Sequence, residues 1–422
     1  MPVDATPEPA KPSRGLRPLW AATATSSLGD GAYLAAAPLL AATISHSPLA
    51  ISLVSASTLA PWFLVGPVAG ALVDRWPRRT TMIVSDLIRA TSLAVLVPLV
   101  LTGFASILVL AVIGFILTSG QSFHNAAGQA LIPHIAGRDR AALASANSRI
   151  ATAEGVAGGF VGPPLGSALF AAGPWVPIAV DAASFAASAA LLRAVPTPPR
   201  PDNDGEGVFT ALWQAVRWMV RQRQLLELAL LIAGGNLATN AALATFVLFA
   251  HDQLGVTTLG FGLLLTAQAV GATGGGWLAT RLSRRLSFRA MLVTAQIARA
   301  AAFLVLAVTG SAWIAGICMA IIGATFTLAT VSVVSARQQL VPDRMLGRVV
   351  NVFRLIGNGA APLGAAIGGV LAARFELVTP VIAGGLLTLA IGALSLLPRF
   401  RSRAVGTTGE PGGEPTPTFD QR

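Results

Sequence analysis

Six ionisable side chains lie in stretches of this 422-residue chain that are otherwise almost wholly apolar. Asp30 sits between Gly29 and Gly31, Glu154 precedes the run GVAGGFVGPPLGS, and Arg354 lies within a long apolar block near the C-terminus. Asp181, His124 and Arg149 fall nearer the ends of their blocks. An ionisable group inside a lipid-spanning segment is costly, and by default it marks a substrate path or a proton relay. A carboxyl that moves between an apolar setting and the side of an arginine changes its hold on a proton. Asp30 and Glu154 are therefore read as proton-coupling or cation-binding carboxylates, with Arg354 as their counter-charge. The competing reading is of fixed pairs that join helices, or of groups facing a water-filled vestibule. For Asp181 and His124 that structural role is preferred, because polar residues also serve as interhelical hydrogen-bond partners. Arg89 and Arg299 are expected to snorkel to a nearby surface.

The elements that must carry these groups follow from composition. Apolar residues make up 54% of the chain and charged residues 11%, with a mean hydropathy of +0.69. A soluble domain has about a quarter of its residues charged, so this chain is an integral membrane protein. Twelve apolar blocks are expected, at about 16–41, 48–73, 81–102, 105–130, 143–171, 174–195, 225–250, 256–280, 289–309, 311–336, 345–373 and 377–397. Each has roughly the ~20 residues that cross a bilayer as a helix. The first 14 residues are polar and Pro-rich, and the first block is read as an uncleaved signal anchor. Cys318 is the single cysteine, which excludes an internal disulfide.

The net charge of +11 does not imply nucleic acid, because the arginines sit in alternate short loops and follow the positive-inside pattern. Arg374 falls on the other side. Both termini are thus expected to be cytosolic in a multi-pass protein of the cell membrane.

The two halves resemble each other. GALVDRWPRR (70–79) aligns with GWLATRLSRR (276–285), and IRATSLAVLVPLVLTG echoes ARAAAFLVLAVTG. Two six-helix units in one orientation imply a pseudo-two-fold axis along the membrane normal. The expected organisation is a cytosolic tail (1–15), an N-terminal six-helix bundle (16–195), a linker (196–224), a C-terminal bundle (225–398) and a disordered tail (399–422). Within the linker, Phe209, Leu212, Trp213, Val216, Met219 and Val220 share one helical face, and Gln214, Arg217, Arg221 and Gln224 the other. That pattern suits a helix lying on anionic lipid at the inner leaflet or, alternatively, a soluble amphipathic helix packed on the loops.

The turn after the second block, Gly70 to Arg79, resembles the signature of the major facilitator superfamily: Gly70, then Asp74 and Arg75, then the paired basics Arg78 and Arg79. Pro77 stands where that pattern usually has Gly. SLGDGAYLAAAPLLAA, ALIPHI and VDAASF look most like the branch of macrolide-efflux and siderophore-export carriers. The resemblance implies an all-α membrane fold of twelve helices in two repeats, in which Asp74 latches the cytosolic side against the start of the eleventh helix near 342–348. Thr280 replaces the acid in the second repeat, so the latch would be one-sided. Gly158, Gly162, Pro163 and Gly166 resemble the Gly-Pro signature of antiporting exporters, and Pro163 is expected to bend the fifth helix. The fourth-helix arginine of many such antiporters is missing, with Ile116 in its place before Gly120.

The function expected from these residues is export of small amphipathic molecules by alternating access, in exchange for protons or another coupling ion. Tyr33, Trp62, Phe123, Asn236, Asn240, Phe246, Gln268 and Asn358 are candidates for the cavity wall. An internal P-loop needs a lysine, and the single lysine, Lys11, lies in the tail. Four scattered histidines and the absence of HExxH or GxSxG speak against an enzyme, and no metal, cofactor or catalytic residue is assigned. A monomer is expected. The alternatives are uptake of a small metabolite or, further off, a non-transporting receptor or scaffold.

Overall fold

A computed structural model describes residues 15–73, 75–137, 139–196, 208–341 and 343–396, and these are helical throughout, joined by short turns. The N-terminal lobe holds α1 (Leu16–Ile44), α2 (Pro48–Leu64), α3 (Gly66–Val73), α4 (Arg78–Leu101), α5 (Ile107–Ala136), α6 (Arg140–Ala153), a π-helical segment (Glu154–Val161), α7 (Gly162–Ala172) and α8 (Val176–Leu192). After α9 (Val208–Arg221), the C-terminal lobe holds α10 (Arg223–Leu243), α11 (Phe246–Asp252), α12 (Thr258–Leu282), α13 (Phe288–Val308), α14 (Ala312–Leu340), α15 (Asp343–Arg374) and α16 (Thr379–Ser395).

Eight spans are long and apolar enough to cross a bilayer, counting α6, the π-helical segment and α7 as one and α10 with α11 as one. The pair α2–α3, bent by 41°, makes another, and α8 and α16 are shorter apolar helices. With α12, which is 25 residues long but tempered by Gly and Thr, they complete twelve crossings in two repeats of six. Turn chemistry sets their limits. Ser106, Thr257 and Ser287 each accept a hydrogen bond from a backbone N–H two or three residues into the following helix, and Asp139 caps α6 at 3.1 and 3.0 Å.

The fifth crossing is where local sequence distorts the rod. Pro163 and Pro164 have no N–H to give to the carbonyls of Gly159 and Phe160, so the regular ladder cannot continue through them. The expected bend takes the form of a π-helical turn over 154–161. Such turns recur at functional sites.

Side chains pack differently at the two ends of the molecule. One apolar cluster joins the lobes at the end away from the basic loops: Tyr33, Leu40, Ile51, Val54 and Phe170 belong to it from one side, and Phe246, Phe249, Phe261 and Met319 from the other. At the basic end the clusters are separate. Leu19, Met82, Leu131 and Leu192 form one within the first lobe, and Leu228, Leu292, Val333 and Phe353 another within the second. Contacts between lobes follow the same split. A side chain built on Gly369 of α15 would strike Ser52 of α2, and one on Gly262 of α12 would strike Ser167 of α7. Among the described residues, the lobes therefore meet at the far end, while the buried clusters at the basic end each lie within one lobe. α9 lies at that end, with Met219 buried against the second lobe while Trp213 and Val220 remain exposed. Phe209 and Leu212 lie outside the residues whose side chains are described.

Candidate functional site

Asp30 stands at mid-length of α1, about 20 Å from either end at 1.5 Å per residue. Gly31 is there for packing. The fifth crossing comes so close that a side chain on Gly162 would strike Gly31 and one on Gly166 would strike the Ala32 carbonyl. Gly158, on the same face, comes against the Ser27 carbonyl. The Gly-Pro motif is thus the surface on which α1 seats beside Asp30, and on its other side Gly159 and Pro163 face α12 of the opposite lobe.

Asp30 pairs with Arg89 of α4, whose Nη2 donates to the Asp30 Oδ1. This corrects the expectation that Arg89 snorkels. Its side chain is 3% exposed, with the guanidinium stacked 3.7 Å over the Phe185 ring and the stem against Gly120. The arginine missing at Ile116 of α5 is in effect supplied from α4. Ile116 itself lines an apolar groove of about 470 Å³ with Val84, Leu87 and Ile113 on the outside of the lobe.

A second carboxylate completes the pair. Asp86, one turn before Arg89, is fully buried; its Oδ2 accepts from Ser188 at 2.6 Å and its Oδ1 lies 3.8 Å from the Arg89 Nη1. His124 of α5 brings its Nδ1 within 2.8 Å of the same Oδ1. The two atoms are close, but neither has a hydrogen-bond partner. Asp181 of α8 is buried as well, one oxygen taking a 3.1 Å hydrogen bond from Ser184 and the other unpartnered. Gly29 leaves the space that Asp181 and Ser184 fill. Asp181 lies within electrostatic range of Asp30 and Tyr33, and Glu154, exposed on the π-helical segment, within range of His124 and Asp30.

The cluster therefore sets two buried carboxylates, Asp86 and Asp181, and the partly exposed Asp30 beside Arg89, with the His124 ring against Asp86. Burying net charge in apolar surroundings is costly, and an excess of carboxylates over fixed cations can be offset by a proton or a bound cation. That is the arrangement's chemical capacity. Asp30, with 29% of its side chain exposed, and Glu154 are its open members.

The other expected residues disperse. Arg354 is exposed on α15 in the opposite lobe, within range of Arg337, and among the described residues no ion pair joins it to either acid. Asn236 donates to the Gly357 carbonyl at 2.9 Å and Asn240 to the Asn236 carbonyl at 2.8 Å, so both amides are spent on helix ties. Gln268, Asn358 and Trp62 are half-buried, and Phe123 stacks on Trp76 at 5.8 Å. Phe246 is corrected from cavity wall to core, packed against Phe249 and Phe261. Arg149 is exposed, its carbonyl accepting from the Trp20 indole.

In the charged turn, Asp74 lies outside the described residues, as do the side chains of 342–348. Gly70 has no heavy atom within 4 Å of where a side chain would begin. Arg75 is exposed. Arg78 bonds His134 at 2.9 Å and Arg79 donates to the Val195 carbonyl at 3.0 Å, both within their own lobe.

Sequence reasoning missed Asp86, Ser188 and Gln296. The signal was present: Asp86 precedes Arg89 by three residues, on one helix face, and Gln296 precedes Arg299 by three in the second repeat. Arg299 is also corrected from snorkelling to buried, with 2% of the residue exposed and its Nη2 donating to the Gln296 Oε1.

Known proteins resemble this chain in sequence and in fold. The chain is 28% identical over 391 residues to the multidrug efflux pump Tap of Mycolicibacterium fortuitum, covering 90% of this chain and 95% of that protein. In solved structures the same fold occurs in the nucleoside transporter NupG (TM-score 0.76, 12% identity, 92% of this chain and 100% of that one). It occurs also in a bacterial homologue of the lysosomal transporter Spinster (TM-score 0.72, 17% identity, 92% and 97%). The family described as transmembrane secretion effector matches residues 12–408, and the chain belongs to that family of major facilitator superfamily transporters, not to the enzymes.

Proposed function

We propose that this protein exports small amphipathic molecules, hydrophobic or cationic, across the cell membrane, by rocking its two lobes in exchange for protons. Asp30 is the carboxylate that takes up and releases the proton. Arg89 is its counter-charge, Asp86 and His124 position that arginine, and Glu154 stands at the open side. The basic loops and both termini face the cytosol, as the positive-inside pattern requires. α9 rests on anionic lipid at that surface through Trp213 and its arginines. A monomer suffices, because both lobes come from one chain.

The observation that carries this reading is the Asp30–Arg89 pair, set at mid-depth in a lobe that meets its neighbour at the end away from the basic loops. With the lobes in this position Asp30 is bonded to the Arg89 guanidinium. This is the position that accepts cargo from the cytosolic side. When the lobes rock the other way, a proton taken from outside neutralises Asp30 and weakens its bond to Arg89, and cargo leaves. An inward proton gradient thereby drives outward transport. The likeness to an efflux pump along nearly the whole chain supports the direction.

The test is transport of a fluorescent lipophilic cation in proteoliposomes with an imposed pH gradient. Expected is gradient-dependent movement against the proton flow, lost in Asp30→Asn while protein insertion is unchanged. Movement indifferent to the pH gradient removes the exchange, and full activity in Asp30→Asn removes the assigned acid.

A further inference from the structure

The second lobe contains a buried arginine that is not neutralised. Arg299 of α13 is 2% exposed, and among the described residues no carboxylate lies within ion-pair distance of it. Its contacts are neutral: Gln296 accepts from Nη2, the Phe326 ring lies 5.8 Å from the guanidinium carbon, and Nε has no partner. Gly235 of α10 lets the guanidinium approach the neighbouring helix, since a side chain there would begin 3.3 Å from Nη2.

Next to this cation is a cavity of about 20 Å³, lined by polar Asn236, Gln296 and Thr330 besides apolar Leu231, Phe326 and Val333. A void of ~10–15 Å³ or more admits one water-sized sphere, so this one holds a single small occupant. Burying a guanidinium unpaired costs several kcal/mol. Water lowers that cost only partly, whereas an anion would remove most of it.

We infer that Arg299, with the side-chain NH2 of Gln296, forms a site for one small monovalent anion of halide size. The inference does not depend on the exchange reading at Asp30, and it concerns the opposite lobe. The bound anion completes in the second lobe the charge balance that protein carboxylates give Arg89 in the first, and it makes the folded carrier anion-dependent.

The experiment is thermal unfolding of the purified full chain in sodium chloride against sodium gluconate at equal ionic strength and pH, with sodium bromide and sodium acetate as further arms. A ligand bound to the folded state alone raises its midpoint. Expected is a midpoint at least roughly 2 °C higher in chloride and bromide, saturating with concentration. Arg299→Gln abolishes the difference. Gln296→Glu, which gives the arginine a carboxylate of its own, also abolishes it, and its midpoint in gluconate rises above that of the unaltered chain. Equal midpoints for the unaltered chain in chloride and gluconate overturn the site, as does a chloride shift that survives in both variants. A rise in acetate without one in chloride assigns the vacancy to a carboxylate-bearing ligand and overturns the halide. Because the readout is stability, it is unaffected by whether Asp30 drives transport.

Discussion

Arg89 and Arg299 hold corresponding places in the two repeats, each on the third crossing of its lobe and each buried. Three residues earlier stands Asp86 in one lobe and Gln296 in the other. The first arginine meets Asp30 on α1 and Asp86 on its own helix, while the second meets an amide and an aromatic ring. Duplication therefore preserved the cation and its depth, and the acids remained on one side only. A lobe with surplus carboxylates can exchange protons. The second lobe buries Arg299 and Arg337, and among the described residues neither has a carboxylate within ion-pair distance.

The largest effect that tests this asymmetry is on coupled transport. Asp30→Asn keeps the shape of the side chain but removes its ability to ionise, and general acid–base groups commonly contribute about 10²–10⁴-fold to the steps they serve. Proton-driven export is expected to fall to roughly 1% or less. Gln296→Asn, which alters the equivalent neighbourhood in the second lobe, should leave export within about threefold, a modest effect consistent with the loss of one neutral hydrogen bond. A comparable collapse in both, measured as initial rates at matched protein density, would abolish the distinction between lobes.

Stability separates the arginines next. Arg89→Met leaves Asp30 and Asp86 without their cation, and breaking a buried pair from one side costs about 3–5 kcal/mol. Arg299→Met removes a cation with no carboxylate partner among the described residues, so in gluconate its unfolding midpoint should stay the same or rise. Equal losses in denaturant or thermal unfolding would mean that Arg299 has a protein partner beyond those described.

The arrangement of crossings was readable because lipid imposes a simple rule: about 20 apolar residues, then a turn. The basic loops and the Gly70–Arg79 echo carried the repeat. Asp30 and Glu154 stood out because each interrupts an apolar run. Asp86 did not, since VSDLIRA reads as the entrance to a block where a charge is cheap, and its depth emerges only when α4 is packed against α5 and α8. Arg354 was linked to the acids because depth along a helix can be counted from sequence. Which side of the rod faces which lobe cannot, as exposed Arg354 and core-packed Phe246 show. The Gly-Pro motif suggested a bend, and the two successive prolines without N–H groups follow a π-helical turn over 154–161.

A smaller contrast lies between the far and basic ends. Gly166→Ala pushes into the Ala32 carbonyl at the seat of α1, and overpacking of this kind costs about 1–3 kcal/mol. Gly70→Ala enters open space and should change stability by no more than about 0.5 kcal/mol. Thermal unfolding reads both. If Gly70→Ala leaves the midpoint alone yet slows transport, the turn at 70–79 packs in another stage of the cycle, as a latch at Asp74 would require. If it changes neither, the glycine has no part in closing the basic end.

The smallest effect concerns the arginines of that turn. Arg78 bonds His134 at the end of α5, and Arg79 the Val195 carbonyl beyond α8, so each fastens the loop to its own lobe. A partly exposed hydrogen bond of this sort contributes about 0.5–1 kcal/mol. Arg78→Ala should therefore lower stability by that amount and leave transport within about twofold. Arg281→Ala in the second repeat removes a guanidinium stacked 3.7 Å over exposed Trp277, a contact worth about 0.5–1 kcal/mol, and should behave alike. Parallel small losses would mean that the paired basics orient the protein and pin its loops, leaving any gating to the acid between them. A loss of export in Arg78→Ala alone, with stability intact, would instead move the gate onto the basic residues of the first lobe and extend the asymmetry from the membrane interior to its surface.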